Sequence, residues 1–249
     1  MTQATSQKGL MAKLGLPQAD PPWTISDTII ALVVLLIGTL IIGTGITASI
    51  ATSTTNPDPI SFVMGWLMGL VVVFVFVMIR WRRTKEQFAA LRLQNGRWQP
   101  LLAVMVGLGG AFTASVIVGL LSGDFLVPLH VLGIDDSNIG SVVLVGLFVL
   151  LVQPIAESLI FFGIVLPRLR ASWSPWVGLL ASVALYAIYY YLVFGTRGTD
   201  SIAIWYGVIY PLIVGVTLGA VRIWSQSTLS TIFAYMGVGA SVLITLLVI

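Results

Sequence analysis

The chain has 249 residues, of which 58% are hydrophobic and only 8% are charged, and its mean hydropathy is +1.04. A soluble domain of this length keeps a more polar surface, so the composition excludes a soluble globular protein and predicts a polytopic membrane protein. The chain has no cysteine, which excludes disulfides, thiolate metal ligands and a cysteine nucleophile.

The net charge of +3 would suggest a nucleic-acid partner in a soluble protein. Here the basic residues stand beside apolar segments, where membrane topology explains them. The sequence therefore predicts the lipid bilayer, and not nucleic acid, as the surrounding partner.

Residues 1–27 are predicted to form a cytoplasmic N-terminal segment, followed by a single transmembrane helical domain over residues 28–249. The segment is polar and has neither the apolar core nor the cleavage site of a signal peptide. Trp23 is predicted to lie at the membrane interface, and Ser26 or Asp27 is predicted to cap the first span.

Seven apolar segments follow, each long enough to cross a bilayer. The predicted spans are Thr28–Ile50, Ile60–Ile79, Pro100–Leu121, Ile139–Leu166, Pro175–Phe194, Ser201–Val221 and Thr228–Ile249. The fourth is long enough to be tilted, or kinked at Pro154. Between the second and third spans, Thr84–Arg92 is typical of a short interfacial helix that stops at Asn95-Gly96. The predicted fold class is all-α, a polytopic bundle of about seven transmembrane helices.

Basic residues predict the orientation of the bundle. Of the 12 basic residues, all except Arg197 fall on one side of the predicted membrane. The positive-inside rule places the N-terminus in the cytoplasm and the C-terminus outside. The lack of a signal or transit peptide favours a bacterial inner membrane.

Small residues recur four apart within three of the predicted spans. The pairs are Gly65/Gly69, Gly107/Ala111 and Gly215/Gly219. This spacing allows helices to approach closely, either within the bundle or against another membrane subunit.

Glu157 is the one carboxylate predicted at membrane depth, in the stretch Gln153–Gly163. A charged side chain there costs about 2.5–3.5 kcal/mol on insertion scales. Such a residue is a functional candidate by default, so the sequence raises the question of which side chain is its partner.

The stretch around Glu157 resembles the first motif of the CPBP family of intramembrane proteases, which contains the CAAX prenyl proteases and bacteriocin-processing enzymes. That motif reads P-x-x-E-E-x-x-F-R-G, and four of its positions match: Pro154, Glu157, Phe161 and Gly163. Ser158 stands where the family has a second glutamate, and Phe162 stands where it has arginine. The resemblance, which extends over most of the chain from Trp23, implies a helical intramembrane protease fold.

The two histidine motifs of the family are replaced. The family's F-x-x-x-H falls on Tyr186 and Tyr190, and its H-x-x-x-N falls on Tyr235 and Gly239. The resemblance implies a centre in which glutamate and histidines activate water, with metal assistance in several members. Of that set only Glu157 remains, so it is interpreted as a catalytic remnant.

The residue types at this place predict hydrogen bonding in preference to catalysis. A catalytic zinc needs about three protein ligands, whereas the predicted spans offer Glu157 and the only histidine, His130, falls in a predicted outward loop. The sequence therefore predicts no metal and no resident cofactor. A neutral tyrosine is a poor general base but a good hydrogen-bond donor. Tyr190 and Tyr235 are predicted to replace a reactive pair by a static pair that holds Glu157.

His130 itself is interpreted as a solvated or capping residue, with a metal or pigment ligand as the alternative. Tyr186, Tyr189 and Tyr190 share one face of the fifth span. They indicate either an aromatic core or a pocket around Glu157 for a lipid, isoprenoid or pigment tail. The candidate pocket residues are Ser158, Phe161, Phe162, Tyr186, Tyr190 and Tyr235.

Three functional hypotheses follow. The favoured one is a non-proteolytic family member that serves as a scaffold, chaperone or accessory subunit, with another membrane protein as its partner. The second is an active intramembrane endopeptidase that combines Glu157 with Ser158, Ser182 or Tyr190. The third is a membrane protein that binds or transports a small molecule in a cavity at Glu157.

Overall fold

The computed structural model of the chain describes residues 10–51, 59–94, 96, 100–123, 139–194 and 204–248. These residues form helices and short connections, without a strand among them. The helices are Leu10–Leu14 (α1), Ile25–Ile50 (α2), Pro59–Trp81 (α3), Lys85–Ala90 (α4), Pro100–Ser122 (α5), Ile139–Ser172 (α6), Pro175–Phe194 (α7), Trp205–Ser225 (α8) and Thr228–Val248 (α9).

Seven of these helices are long and apolar enough to cross a membrane, namely α2, α3 and α5 to α9. This confirms the predicted all-α class and the predicted number of spans. The apolar stretches are about 20 residues or longer, which is the length that a helix needs to cross the hydrocarbon core. His130 and Arg197 lie outside the described residues, so the interpretations attached to them stay predictions.

Helix α6 lies at the centre of the bundle. It contacts α2, α3, α7, α8 and α9, while α5 packs mainly along α9. Residues from Ala156 to Leu166 are almost completely buried, because neighbouring helices cover every face of α6 there. The stretch that contains Glu157 is therefore the best-covered part of the molecule that the structure describes.

Several predicted helix ends are wrong by a few residues. Helix α2 begins at Ile25 because Thr24, and not Ser26 or Asp27, is its N-cap. The Thr24 hydroxyl accepts a hydrogen bond from the Asp27 backbone N–H (3.2 Å), and the Asp27 carboxylate accepts one from the Thr24 backbone N–H (2.9 Å). This reciprocal pair is a capping box, in which Asp27 is the third helical residue.

Helix α4 also ends earlier than predicted, at Ala90, because Arg92 adopts a left-handed backbone with φ of 52°. In the opposite sense, α6 continues past the predicted end at Leu166 and α8 continues past Val221. Their terminal arginines, Arg170 and Arg222, are 3% and 2% exposed. Both donate hydrogen bonds to protein carbonyls.

Trp23 is buried within the protein, with only 3% of its surface exposed, and its place at the membrane interface stays a prediction. Its indole Nε1 donates to the carbonyl of Ile164 in α6 at 3.2 Å. A buried indole needs a hydrogen-bond acceptor, and the irregular backbone of α6 supplies one. The N-terminal segment, including α1, therefore packs against the bundle.

Glycines allow two pairs of helices to approach closely within the bundle. A Cβ at Gly107 would overlap the carbonyl oxygen of Ala234 in α9, and one at Gly69 would overlap the carbonyl oxygen of Gly38 in α2. The absence of a side chain lets the two backbones meet at both places. The interpretation of these spacings as packing within the bundle agrees with this geometry.

Candidate functional site at Glu157

The backbone of α6 is irregular on both sides of Glu157. Two π-helical segments, Phe148–Val152 and Ser158–Val165, enclose a short α-helical turn, Gln153–Glu157. Pro154 lies at the start of that turn, where its missing N–H is tolerated. π-Helical segments are rare and occur frequently at functional sites, because they change the direction of side chains and free backbone carbonyls.

Three carbonyls of the second π-helical segment accept hydrogen bonds from other parts of the chain. The pairs are Ser182 Oγ to Phe161 O (3.3 Å), Arg222 Nε to Phe162 O (3.1 Å) and Trp23 Nε1 to Ile164 O (3.2 Å). In a membrane, a carbonyl released from helical bonding needs such a partner. These bonds fix the segment against α7, α8 and the N-terminal segment.

Glu157 has no exposed surface, and its carboxylate is held by side chains of three helices. Oε2 accepts a hydrogen bond from the hydroxyl of Tyr235 in α9 at 2.5 Å. Oε1 accepts one from Gln153 Nε2 in α6 at 3.0 Å and a longer one from the hydroxyl of Tyr189 in α7 at 3.4 Å. Both carboxylate oxygens are thus occupied by protein donors.

A second layer of hydrogen bonds supports these donors. Gln153 Nε2 also donates to the hydroxyl of Tyr190 at 2.7 Å, and the Tyr190 and Tyr235 hydroxyls hydrogen-bond to each other. Tyr186 donates its hydroxyl to Tyr235 at 2.8 Å. We refer to the connected set as the Glu157 cluster; it consists of Gln153, Glu157, Tyr186, Tyr189, Tyr190 and Tyr235.

The protons of the Glu157 cluster all point toward the carboxylate. Each tyrosine has one O–H, so the Tyr235 hydroxyl that donates to Glu157 can only accept from Tyr190 and Tyr186. Gln153 has two N–H donors and uses one on Glu157 and the other on Tyr190. Every hydrogen bond is satisfied in this single direction, with the carboxylate as the final acceptor.

Aromatic rings fill the space next to the cluster. Phe161 packs edge-on against Tyr186 with ring centroids 5.1 Å apart, and Phe162 lies 5.8 Å from the same ring. Phe161, Phe162 and Ser158 are fully buried, and the Ser158 hydroxyl has no hydrogen-bond partner among the described residues. The structure thus brings together all the candidate pocket residues, while their use as a lipid or pigment pocket stays a prediction.

Two members of the cluster were not among the predicted site residues. Gln153 lies four residues before Glu157, a spacing that places both side chains on one helix face. Tyr189 shares its face with Tyr186 and Tyr190, and its position in that pattern was visible in the sequence. The i, i+4 spacing was therefore the signal that could have identified Gln153.

The donor set does not fit the catalytic metal that the family resemblance implies. In the described residues, no three His, Cys, Asp or Glu side chains come close enough together to hold a metal ion. Around Glu157 the neighbours are an amide and tyrosine hydroxyls that direct their protons at the carboxylate. A zinc ion takes ligands with free lone pairs, usually three from the protein, and this arrangement offers too few.

A comparison with protein-family models finds a match over the part of the chain that carries the Glu157 cluster. The family described as type II CAAX prenyl endopeptidase, Rce1-like, matches residues 139–241, which include α6 to α8 and most of α9. No curated protein and no solved structure matches the chain. The matched residues, 139–241, contain every member of the Glu157 cluster, so the part of the chain that forms this site is similar to the Rce1-like family of type II CAAX prenyl endopeptidases.

Proposed function

We propose that this protein is a non-proteolytic member of its family that acts as a scaffold, chaperone or accessory subunit of a membrane complex. The observation that carries the proposal is the state of Glu157, whose two oxygens accept hydrogen bonds from Tyr235, Gln153 and Tyr189. In this role the cluster joins α6, α7 and α9 and stabilises the bundle.

The chemistry of water activation supports this view. A general base must offer a free lone pair to the water that it deprotonates. A carboxylate has about four lone-pair sites, and three donors already occupy sites on Glu157. At the family's histidine positions, Tyr235 donates to Glu157 and Tyr190 bonds to Tyr235 and Gln153. Neither tyrosine provides the second base or the metal ligand of a hydrolytic centre.

The proposal places the protein in a bacterial inner membrane, with the N-terminus in the cytoplasm and the C-terminus outside. Lys13 and Arg170 line one cleft, and Arg92 and Arg170 lie near Arg222. A concentration of basic side chains at one end of a bundle is typical of its cytoplasmic end, which supports this orientation.

A cleavage assay tests the non-proteolytic half of the proposal. Wild-type protein in lipid nanodiscs is incubated with prenylated CAAX peptides and transmembrane peptides, and products are detected by mass spectrometry. We expect no cleavage by the wild type or by Glu157→Gln. Products that form with the wild type and disappear with Glu157→Gln would show that the protein is an active peptidase.

That outcome corresponds to the second candidate, an active intramembrane endopeptidase. It is favoured by the family match itself and by the buried hydroxyl of Ser158 next to Glu157, which has no hydrogen-bond partner among the residues that the structure describes. In this case Glu157 would act on the substrate together with Ser158, Ser182 or Tyr190.

Affinity purification in mild detergent tests the scaffold half. We expect a second membrane protein to co-elute with both the wild type and Glu157→Gln, because the variant preserves the shape of the side chain. Native mass spectrometry of the same samples would also reveal a lipid, isoprenoid or pigment bound at the cluster. A lone monomer, combined with a cellular phenotype that is lost in Glu157→Gln, would contradict a scaffold role.

A further inference from the structure

A second feature lies at the end of the bundle, roughly 20 Å along α6 from Glu157 by the rise of a helix. Here a cleft of about 350 Å³ opens between the N-terminal segment, the turn after α4 and the ends of α6 and α8. This volume is within the range of sites that hold small molecules. We call it the basic cleft; its polar and aromatic lining consists of Lys13, Gln18, Arg92, Arg170, Trp224 and Gln226.

The lining of the basic cleft is positively charged, and none of the described residues that line it is a carboxylate. Lys13, Arg92 and Arg170 contribute three cations, and Arg222 lies close enough to Arg92 and Arg170 to be repelled by both. The ion pairs in the described part of the chain are elsewhere, between Arg80 and Asp27 and between Arg168 and Asp20. Cations gathered without a counterion repel one another, so an anion in the cleft would relieve this repulsion.

Arg170 is held rigidly in the wall of the cleft. It is 3% exposed, and its guanidinium donates to the carbonyls of Leu14 (2.9 Å), Leu16 (2.8 Å) and Pro175 (2.9 Å). These acceptors are neutral, and Nε has no hydrogen-bond partner in the described part of the chain. The fixed charge of Arg170 thus has no compensating carboxylate among the described residues.

The other wall of the cleft is built on unusual backbone. Arg92 and Gln226 are the non-glycine residues with positive φ in the described ranges, at 52° and 57°. Their side chains hydrogen-bond to each other, and the Thr228 backbone N–H donates to the Arg92 carbonyl at 3.0 Å. Left-handed backbone is unfavourable for these residue types and is concentrated at functional sites. Here it brings two long polar side chains to the same cleft.

We propose that the basic cleft binds a phosphate group, and that the usual source of this group is the headgroup of an anionic phospholipid. Basic pockets between transmembrane helices at the membrane surface are suited to anionic headgroups. Arg170 supplies a fixed planar guanidinium, and Lys13, which lies 5.4 Å from the ring centre of Trp224, supplies a more adaptable ammonium. This site does not depend on whether Glu157 is catalytic.

The test uses the full-length protein and two single variants, Lys13→Gln and Arg92→Gln. Arg83→Gln is the matched control, because it also removes one positive charge, but from an exposed residue just after α3 that does not line the cleft. Arg170 is not substituted, because its bonds to Leu14 and Leu16 hold the N-terminal segment in place. Native mass spectrometry measures the binding of phosphatidylglycerol and of phosphatidylcholine to each protein. A parallel thermal melt adds inorganic phosphate or pyrophosphate to protein in phosphatidylcholine micelles.

We expect phosphatidylglycerol to bind more tightly than phosphatidylcholine, and each cleft variant to weaken it about fivefold, as removal of one basic residue at a membrane surface does. Arg83→Gln should leave binding unchanged. Stabilisation by inorganic phosphate or pyrophosphate, with the same dependence on Lys13 and Arg92, would support the phosphate site but assign it to a soluble ligand. If neither ligand binds, or if Arg83→Gln weakens binding as much as the cleft variants, the proposal is wrong.

Discussion

Among single residues, Tyr235 has a hydroxyl that joins three buried side chains of the Glu157 cluster. It donates to Glu157 at 2.5 Å, accepts from Tyr186 at 2.8 Å and also bonds to Tyr190. A hydroxyl that joins three buried polar groups is worth more than an isolated hydrogen bond, because its loss leaves several groups unsatisfied.

Replacement of Tyr235 by phenylalanine should therefore destabilise the protein. We expect the free energy of unfolding to fall by about 1–3 kcal/mol, the cost of leaving buried polar groups unpaired. Unfolding in mixed micelles with increasing SDS measures this change. The control is Tyr191→Phe on α7, because that side chain is 44% exposed. Equal stability of the two variants would contradict a structural role for the cluster.

At the scale of single residues, the sequence predicted which residues form the site better than it predicted which of them contact Glu157. The family spacing placed Tyr190 and Tyr235 at the histidine positions, and both lie in the cluster around Glu157. Gln153 and Tyr189 were not selected, although each donates directly to Glu157. Gln153 could have been identified from its i, i+4 spacing to Glu157 within α6. The role of Tyr189 depends instead on how α7 is rotated toward α6, and periodicity within one helix does not determine that rotation.

At the level of helices, α6 combines irregular backbone with nearly complete burial. Its second π-helical segment releases carbonyls that Ser182, Arg222 and Trp23 bind. Composition predicted a long apolar span here, but not the π-helical segments, because these depend on donors from distant parts of the chain. The predicted span ended at Leu166, whereas the helix continues through Arg168 and Arg170 to Ser172.

The contact between α5 and α9 allows a test with two neighbouring glycines. Gly107→Ala should destabilise the bundle by about 1–3 kcal/mol, the usual cost of overpacking, because its Cβ would overlap the carbonyl oxygen of Ala234. Gly109→Ala should have little effect, since nothing lies within 4 Å of a Cβ there. SDS titration or thermal melting measures both variants. If Gly109→Ala were the more harmful of the two, the close approach of α5 and α9 would be incorrect.

At the scale of the whole molecule, the apolar helices and the basic side chains of the cleft lie in different places. The apolar helices form the bundle, whereas Lys13, Arg92 and Arg170 meet in the basic cleft at one end. This separation is the basis of both the predicted orientation and the proposed phosphate site.

The orientation can be measured with single cysteines, because the natural sequence contains none. We expect Lys85→Cys to be protected from a membrane-impermeant maleimide in intact cells, as a cytoplasmic residue should be. Asp135→Cys, in the predicted outward loop, should be labelled without permeabilisation. Labelling of both sites after permeabilisation is the control for reactivity. The reverse pattern in intact cells would invert the predicted topology.

Properties that depend on short segments could be read directly from the amino acids. The number of spans and the all-α class follow from runs of apolar residues, and the prominence of Glu157 follows from the cost of a carboxylate in hydrocarbon. The side chains that meet at each site depend instead on long-range packing. Arg170 binds Leu14 across 156 residues, Tyr235 reaches Glu157 across 78, and Trp23 meets Ile164 across 141. Such pairs form only after the helices have packed, because burial then leaves each polar group one set of partners within reach.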